Sequence, residues 1–91
     1  MPIVVIPTAF RATPNGAAEV EVPAGTIREC MQTVADQSPG FDELVFDSNR
    51  NPQRWMMFFL NDVQLDNEPA TLDTPVGETD RLELLAAVAG G

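Results

Sequence analysis

The residues best placed to do chemistry stand at the end of the chain: Ala87-Val88-Ala89-Gly90-Gly91, five small residues closing in two glycines. None of the five has a side chain that packs or reacts. What they offer is reach and access. Fully extended, five residues span about 17 Å, enough to thread a terminal carboxylate into an enclosed active site while a folded body stays outside. Lacking Cβ, the glycines pass a narrow channel, accept unusual φ and leave the terminal carbonyl open to a nucleophile. The Gly91 carboxylate, with a reference pKa of about 3.5, is ionised at neutral pH and is a poor electrophile. Another enzyme must activate it. Adenylation by ATP is the obvious route, after which displacement of AMP by sulfide, or by a persulfide with a further thiol cleaving the acyl disulfide, leaves a thiocarboxylate at Gly91. A random chain ends in Gly-Gly only about once in 200 times, so chance is the less favoured reading.

The rest of the composition removes competing chemistries. There is no His and no Tyr, and Ser occurs only as Ser38 and Ser48. A Ser-His-Asp or Cys-His site and a His-bearing zinc site are therefore excluded. One cysteine, Cys30, allows neither an intramolecular disulfide nor a Cys-rich cluster. The five basic residues are all Arg (Arg11, Arg28, Arg50, Arg54, Arg81), so no lysine is available for a Schiff base. The missing lysines also bar self-conjugation of an activated tail, although the general composition of the host's proteins accounts for their absence equally well. No catalytic residue and no metal site is expected, and no cofactor is expected to be bound permanently; ATP and the sulfur source belong to the activating enzyme.

Fourteen acidic residues against five basic ones give a net charge of −9. Such a molecule repels phosphate backbones, so a basic protein surface is the expected partner rather than nucleic acid. No apolar run is long enough for a membrane span, and Met1-Pro2-Ile3 lacks the basic start of a secretory signal. The cytoplasm is the expected location. Cys30 falls on a buried helical face and reads as core packing. The pairs Asp42/Glu43 and Asp66/Glu68 read as solvated surface, because no apolar pocket is expected around them.

The 91 residues make one domain, residues 1–86, followed by the tail 87–91. Pro2 to Ala9 and Ala18 to Val22 read as strands, with Val4, Ile6, Val20 and Val22 inward. Thr13-Pro14-Asn15-Gly16 carries turn chemistry between them. Thr26-Ile27-Arg28-Glu29 has capping-box spacing and opens a helix whose apolar stripe is Ile27, Cys30, Met31, Val34 and Ala35. Ser38-Pro39-Gly40 ends it. Phe41 to Phe46 offers one irregular or helical turn closing the core with Leu44 and Phe46, and Asp47 to Gln53 is a loop.

Arg54 to Leu60 is a strand apolar on both faces, Trp55, Met57 and Phe59 on one and Met56, Phe58 and Leu60 on the other. A single helix covers one side of a sheet, so one triplet is left as a partner-docking patch. Asn61-Asp62 turns into a short edge strand, Val63 to Leu65. Leu72 and Val76 are core plugs, Gly77 to Asp80 is a turn, and Arg81 to Ala86 is a final strand with Leu82 and Leu84 inward. Right-handed crossover makes the first and last strands parallel neighbours, giving an α+β fold, a mixed sheet of four to five strands with one main helix on one face.

With these features the sequence resembles the MoaD/ThiS family of sulfur carriers, prokaryotic relatives of ubiquitin. The likeness rests on Ile6-Pro7-Thr8 with Arg11, the Thr26 helix, Leu60-Asn61-Asp62, the Gly77 to Asp80 turn and above all the Ala87-Val88-Ala89-Gly90-Gly91 tail. It implies a β-grasp (ubiquitin-like) fold, activation of Gly91 by an adenylating enzyme related to ubiquitin-activating enzymes, and sulfur carriage as a thiocarboxylate to a sulfur-accepting synthase. The length, the Ile6-Pro7-Thr8 start and the long loop look most like carriers serving cysteine biosynthesis. The small subunit of molybdopterin synthase, in the molybdenum cofactor pathway, is the near alternative, and the thiamine carrier ranks third. A ubiquitin-like modifier or a plain docking module also fits. Members often carry proline just before the tail, where this chain has Ala86-Ala87.

Overall fold

The structure is a computed structural model and describes residues 1–6, 19–37 and 39–86. The Thr13 to Gly16 turn, Pro7, Thr8, Arg11, Ser38 and the tail 87–91 lie outside the described residues. The elements run β1 (Ile3–Val5), β2 (Glu19–Glu21), β3 (Gly25–Thr26), α1 (Ile27–Gln37), α2 (Pro39–Val45), β4 (Met56–Leu60), β5 (Val63–Leu65), a 3-10 turn (Pro69–Asp73), β6 (Pro75–Val76) and β7 (Arg81–Ala86). The main sheet has the order β2-β1-β7-β4-β5. β7 lies at its centre, parallel to β1 and antiparallel to β4, while β2 and β5 pair antiparallel at the two edges. This is the β-grasp arrangement the sequence led us to expect.

The helix α1 begins where the capping box placed it. The Glu29 backbone N–H donates to Thr26 Oγ1 at 3.2 Å, and the Thr26 backbone N–H donates to Glu29 Oε1 at 2.9 Å. Two of the N–H groups orphaned at the helix entry are thereby satisfied. Gly25 leaves room for this cap, because a Cβ there would meet Glu29 Oε1 at 2.6 Å. All five stripe residues, Ile27, Cys30, Met31, Val34 and Ala35, are buried. They pack on the inward side of the sheet with Val4, Ile6, Val22, Met56, Phe58, Leu82 and Leu84. Val20 joins this core half-buried. The thiol of Cys30 is pushed up by burial first and by the neighbouring Glu29 charge second, so it is a packed, unreactive group.

Two expectations need correcting, and a third stretch gains definition. Phe41 and Val45 are the fully buried plugs after α1, with Phe46 beside them, whereas Leu44 only packs at the margin. The cause is that Pro39 opens a regular helix, which puts residues 41 and 45 one above the other on the face toward α1. The strand expected from Arg54 begins at Met56, because the Met56 N–H bonds back to the Gln53 carbonyl at 3.0 Å and turns Arg54 and Trp55 out of the ladder. The stretch around Leu72 is a 3-10 turn, followed by β6, which pairs with β3 as Gly25↔Val76 and Thr26↔Pro75. Leu72 and Val76 are buried there as expected.

Candidate functional site

The tail is launched from β7, so the groups that fix β7 decide where the tail can go. Its central position gives it a ladder on both sides: Val4 opposite Leu82 in β1, and Leu60, Phe58 and Met56 opposite Leu82, Leu84 and Ala86 in β4. Ala86, the last strand residue, is still paired. The strand that precedes the tail is thus held in the ladder with β4 to its last residue.

The start of β7 is clamped by Asn61. Its Nδ2 donates to Asp80 Oδ1 at 2.9 Å, its Oδ1 accepts the Arg81 backbone N–H at 2.9 Å, and its own N–H donates to the Arg81 carbonyl at 2.9 Å. The second Asp80 oxygen accepts the Gly77 N–H at 2.7 Å. The Asn61 amide and then the Gly77 N–H hold the Asp80 carboxyl below the usual carboxylate range, because both bonds favour the charged form. Asn61 and Asp62 have φ of 52° and 70°, the left-handed pair of a two-residue hairpin turn. Leu60-Asn61-Asp62 and Gly77 to Asp80, two separate signals in the sequence, are one hydrogen-bonded unit.

Inward, Leu82 and Leu84 belong to the core; outward, Arg81, Glu83 and Leu85 lie on the sheet face away from the helices. In register with them stand Ile3 and Val5 from β1 and Met57 and Phe59 from β4. All except Arg81 are half-buried, although none of these apolar residues belongs to or packs on the core. The outward triplet is thus resolved in favour of Met57 and Phe59. Met56 and Phe58 are buried inward, with Leu60 packed against the same core. Trp55 leaves the outward set, since it precedes the strand and packs against the core. Leu85 enters it, and alternation along β7 with Leu82 and Leu84 inward was the signal that pointed there. Met57 and Leu85 are direct partners one pair before the tail's exit.

Across β1, Arg81 Nη2 donates to Glu19 Oε2 at 2.6 Å. The guanidinium of a β7 residue thus reaches over the intervening strand, and its stem lies on the Ile3 and Val5 side. The β1 half of the outer face is strapped, while Met57, Phe59 and Leu85 lie half-buried on the β4 half.

On the other side of the molecule Arg50 ties the long loop down. Its Nη1 meets both Asp42 carboxylate oxygens at 2.8 Å, its Nη2 donates to Gln32 Oε1 at 2.5 Å, and its guanidinium stacks over the Phe46 ring at 4.2 Å. Asp42 is therefore an ion-pair partner, and Glu43, Asp66 and Glu68 are exposed. Among the described residues no group of His, Cys, Asp and Glu has metal-binding geometry, and none of their helices is long and apolar enough to cross a membrane.

No protein-family model matches the sequence, and no curated protein matches it. Solved structures match over the whole chain. CysO from Amycolatopsis orientalis, solved in the BexX/CysO complex, superposes with a TM-score of 0.83 at 27% identity, covering 100% of this chain and 100% of that one. CysO from Mycobacterium tuberculosis, described as an antigen, gives 0.82 at 23% identity over 97% of this chain and 100% of that one. The small archaeal modifier protein 1 from Methanosarcina acetivorans gives 0.80 at 16% identity over 99% and 95%. The last two likenesses speak to the fold. The chain shares the ubiquitin-like β-grasp fold of these proteins, and it is the neighbours that are MoaD/ThiS-like sulfur carriers or modifiers.

Proposed function

We propose that this protein is a sulfur carrier: the Gly91 carboxylate is adenylated by a partner enzyme and becomes a thiocarboxylate that donates sulfur in cysteine or cofactor biosynthesis. The observation that carries this reading is the whole-length likeness to CysO in the BexX/CysO complex, joined to a sequence that ends in Gly90-Gly91. CysO in that crystal is bound to a second protein, and the outer sheet face beside the tail's exit gives this chain a surface for the same kind of partnership.

The chemistry is then divided between proteins. A Gly91 carboxylate oxygen attacks the α-phosphorus of ATP and pyrophosphate leaves. Hydrosulfide attacks the acyl carbon, AMP departs, and one proton is released as the thiocarboxylate forms. With a persulfide donor the product is an acyl disulfide, which a second thiol must cleave. None of these steps draws on a side chain of the carrier, in keeping with a chain that has no His and no Lys. Its contribution is to hold β7 rigidly, present the tail and dock. Residues 1–86 are the body and 87–91 the arm; ATP and the sulfur source place its work in the cytoplasm.

The test is a mass spectrum of the C-terminal tryptic peptide, Leu82 to Gly91, after incubation with candidate adenylating enzymes, ATP and sulfide. The peptide has no Met or Cys, so exchange of oxygen for sulfur there reports only the thiocarboxylate, free of methionine oxidation. An unmodified peptide while the enzyme hydrolyses ATP overturns the carrier reading.

A further inference from the structure

Among the described residues one cation has no partner. Arg28 faces Asp73 at 4.0 Å, Arg50 holds Asp42 at 2.8 Å, Arg81 holds Glu19 at 2.6 Å, and the Met1 amine lies 3.8 Å from Glu78. Arg54 is exposed and makes no ion pair, hydrogen bond or ring contact with any described residue. No further side chain of the molecule can serve it, because all fourteen Asp and Glu residues lie within the described segments. The one remaining carboxylate of the chain is the Gly91 terminus.

Arg54 also stands at a particular place. It lies two residues before Met56, and Met56 pairs with Ala86, the last residue of β7. The unpaired cation is therefore at the end of the sheet from which the tail is launched. Its backbone is held there: the Met56 N–H donates to the Gln53 carbonyl at 3.0 Å, and Asn67 Nδ2 donates to the same carbonyl at 2.9 Å. Its charge runs against that of the chain as a whole. A net charge of −9 steers the molecule to a basic surface, and such a surface repels Arg54 unless it carries an anion where the tail enters. In the adenylation complex that anion is either a phosphate of ATP or a carboxylate of the enzyme. Reach separates the two, because Gly91 must meet the α-phosphorus about 17 Å beyond Ala86 when the tail is extended, whereas Arg54 stays with the folded body. The Gly91 carboxylate is itself engaged at the phosphorus, so the counter-charge comes from the enzyme.

We propose that Arg54 is a positioning residue at the root of the tail: it pairs with an aspartate or glutamate that the adenylating enzyme carries at the mouth of its tail channel, within an otherwise basic surface. The inference rests on the carrier reading. A guanidinium grips a carboxylate through two parallel N–H bonds, and on a fixed backbone this sets the direction in which the tail enters. Discrimination follows from the same arrangement. An enzyme with a cation at that point repels Arg54, and one with an apolar group leaves it dry and unpaired.

The experiment is carrier-dependent ATP–pyrophosphate exchange by the adenylating enzyme, with the full chain titrated as wild type, Arg54→Gln, Arg54→Lys, Arg54→Glu and Arg28→Gln. The last removes the same charge in the first turn of α1. Thermal unfolding is measured first. Arg54→Gln is expected to unfold with wild type, since no contact within the chain is lost, and a lowered midpoint overturns that premise. The half-saturating carrier concentration is expected to rise about tenfold in Arg54→Gln and further in Arg54→Glu. It is expected to rise less in Arg54→Lys, which keeps the charge without the planar fork. The plateau rate of Arg54→Gln and its half-saturating ATP concentration are expected to stay unchanged, and Arg28→Gln to match wild type. An equal or lower half-saturation in Arg54→Gln, or an equal rise in Arg28→Gln, overturns the pairing and leaves the carrier reading standing. A raised half-saturating ATP concentration puts the anion on the nucleotide and overturns the pairing as well. No exchange with wild type, using an enzyme that is active on its own carrier, overturns both.

Discussion

Asn61 and Asp80, nineteen residues apart in the sequence, form the hydrogen-bonded hinge pin of the sheet: the amide of one donates to the carboxylate of the other at 2.9 Å while its carbonyl takes the N–H of Arg81. One side chain thus joins the β4–β5 turn to the first residue of the strand that bears the tail. The backbone of Asn61 has φ of 52°, a conformation that Asn tolerates better than most residues because its short polar side chain bonds locally.

Asn61→Gly and Asn61→Ala separate these two contributions. Both lose the side-chain bonds, but only alanine adds the left-handed backbone strain, so Asn61→Ala is expected to be less stable than Asn61→Gly by about 1 kcal/mol. Urea unfolding of the two variants at neutral pH checks this, and equal midpoints would mean that the φ does not matter.

Asp80 gives the clamp a pH dependence of known sign. Its folded pKa lies below the unfolded one, so its stabilisation is fully present above the unfolded value, about 3.9, and is lost as pH falls through the folded value. The stability gap between wild type and Asp80→Ala is therefore expected to be constant from pH 6 to pH 5, above the unfolded value, and to close as pH falls below about 4. Denaturation midpoints across this range measure it. A gap that widens on acidification contradicts the assignment.

Phe58 and Phe59 are adjacent in sequence and opposite in consequence. Phe58 is fully buried, while Phe59 is half-buried on the outer face. Phe58→Ala is expected to cost about 3 to 5 kcal/mol, a large share of the stability of a domain this size. Phe59→Ala is expected to cost about 1 kcal/mol or less and to weaken partner docking instead. Calorimetry on both variants decides which face is the core.

The cap of α1 couples Gly25 to Glu29. Gly25→Ala forces the Glu29 carboxylate off the Thr26 N–H, since the added Cβ falls 2.6 Å from Oε1. Thr26→Ala is expected to cost about 1 kcal/mol. Gly25→Ala is expected to cost less in a Glu29→Ala background than in wild type, because the clash and the bond are already gone. A double-mutant cycle in urea gives the coupling directly.

The sequence by itself determined what depends on neighbours along the chain. The capping box from Thr26 to Glu29, the five-residue stripe of α1, the Asn61-Asp62 turn and the inward Leu82 and Leu84 follow from periodicity and local hydrogen bonding, and they appear in the structure where these place them. Phe41 and Val45 were missed because a Pro-initiated helix of seven residues is too short for its period to show. The strand Arg54 to Leu60 carried apolar residues on both faces, so its alternation held no information about which face turns inward. That choice was made by register: Leu82 and Leu84 point into the core, Leu60 and Phe58 are their partners across the ladder, and Met57 and Phe59 must then face out with Leu85. Register likewise set Glu83 between Val5 and Phe59 and carried Arg81 across β1 to Glu19. Such relationships join residues that are distant in sequence, and only the closing of the sheet brings them within reach of one another.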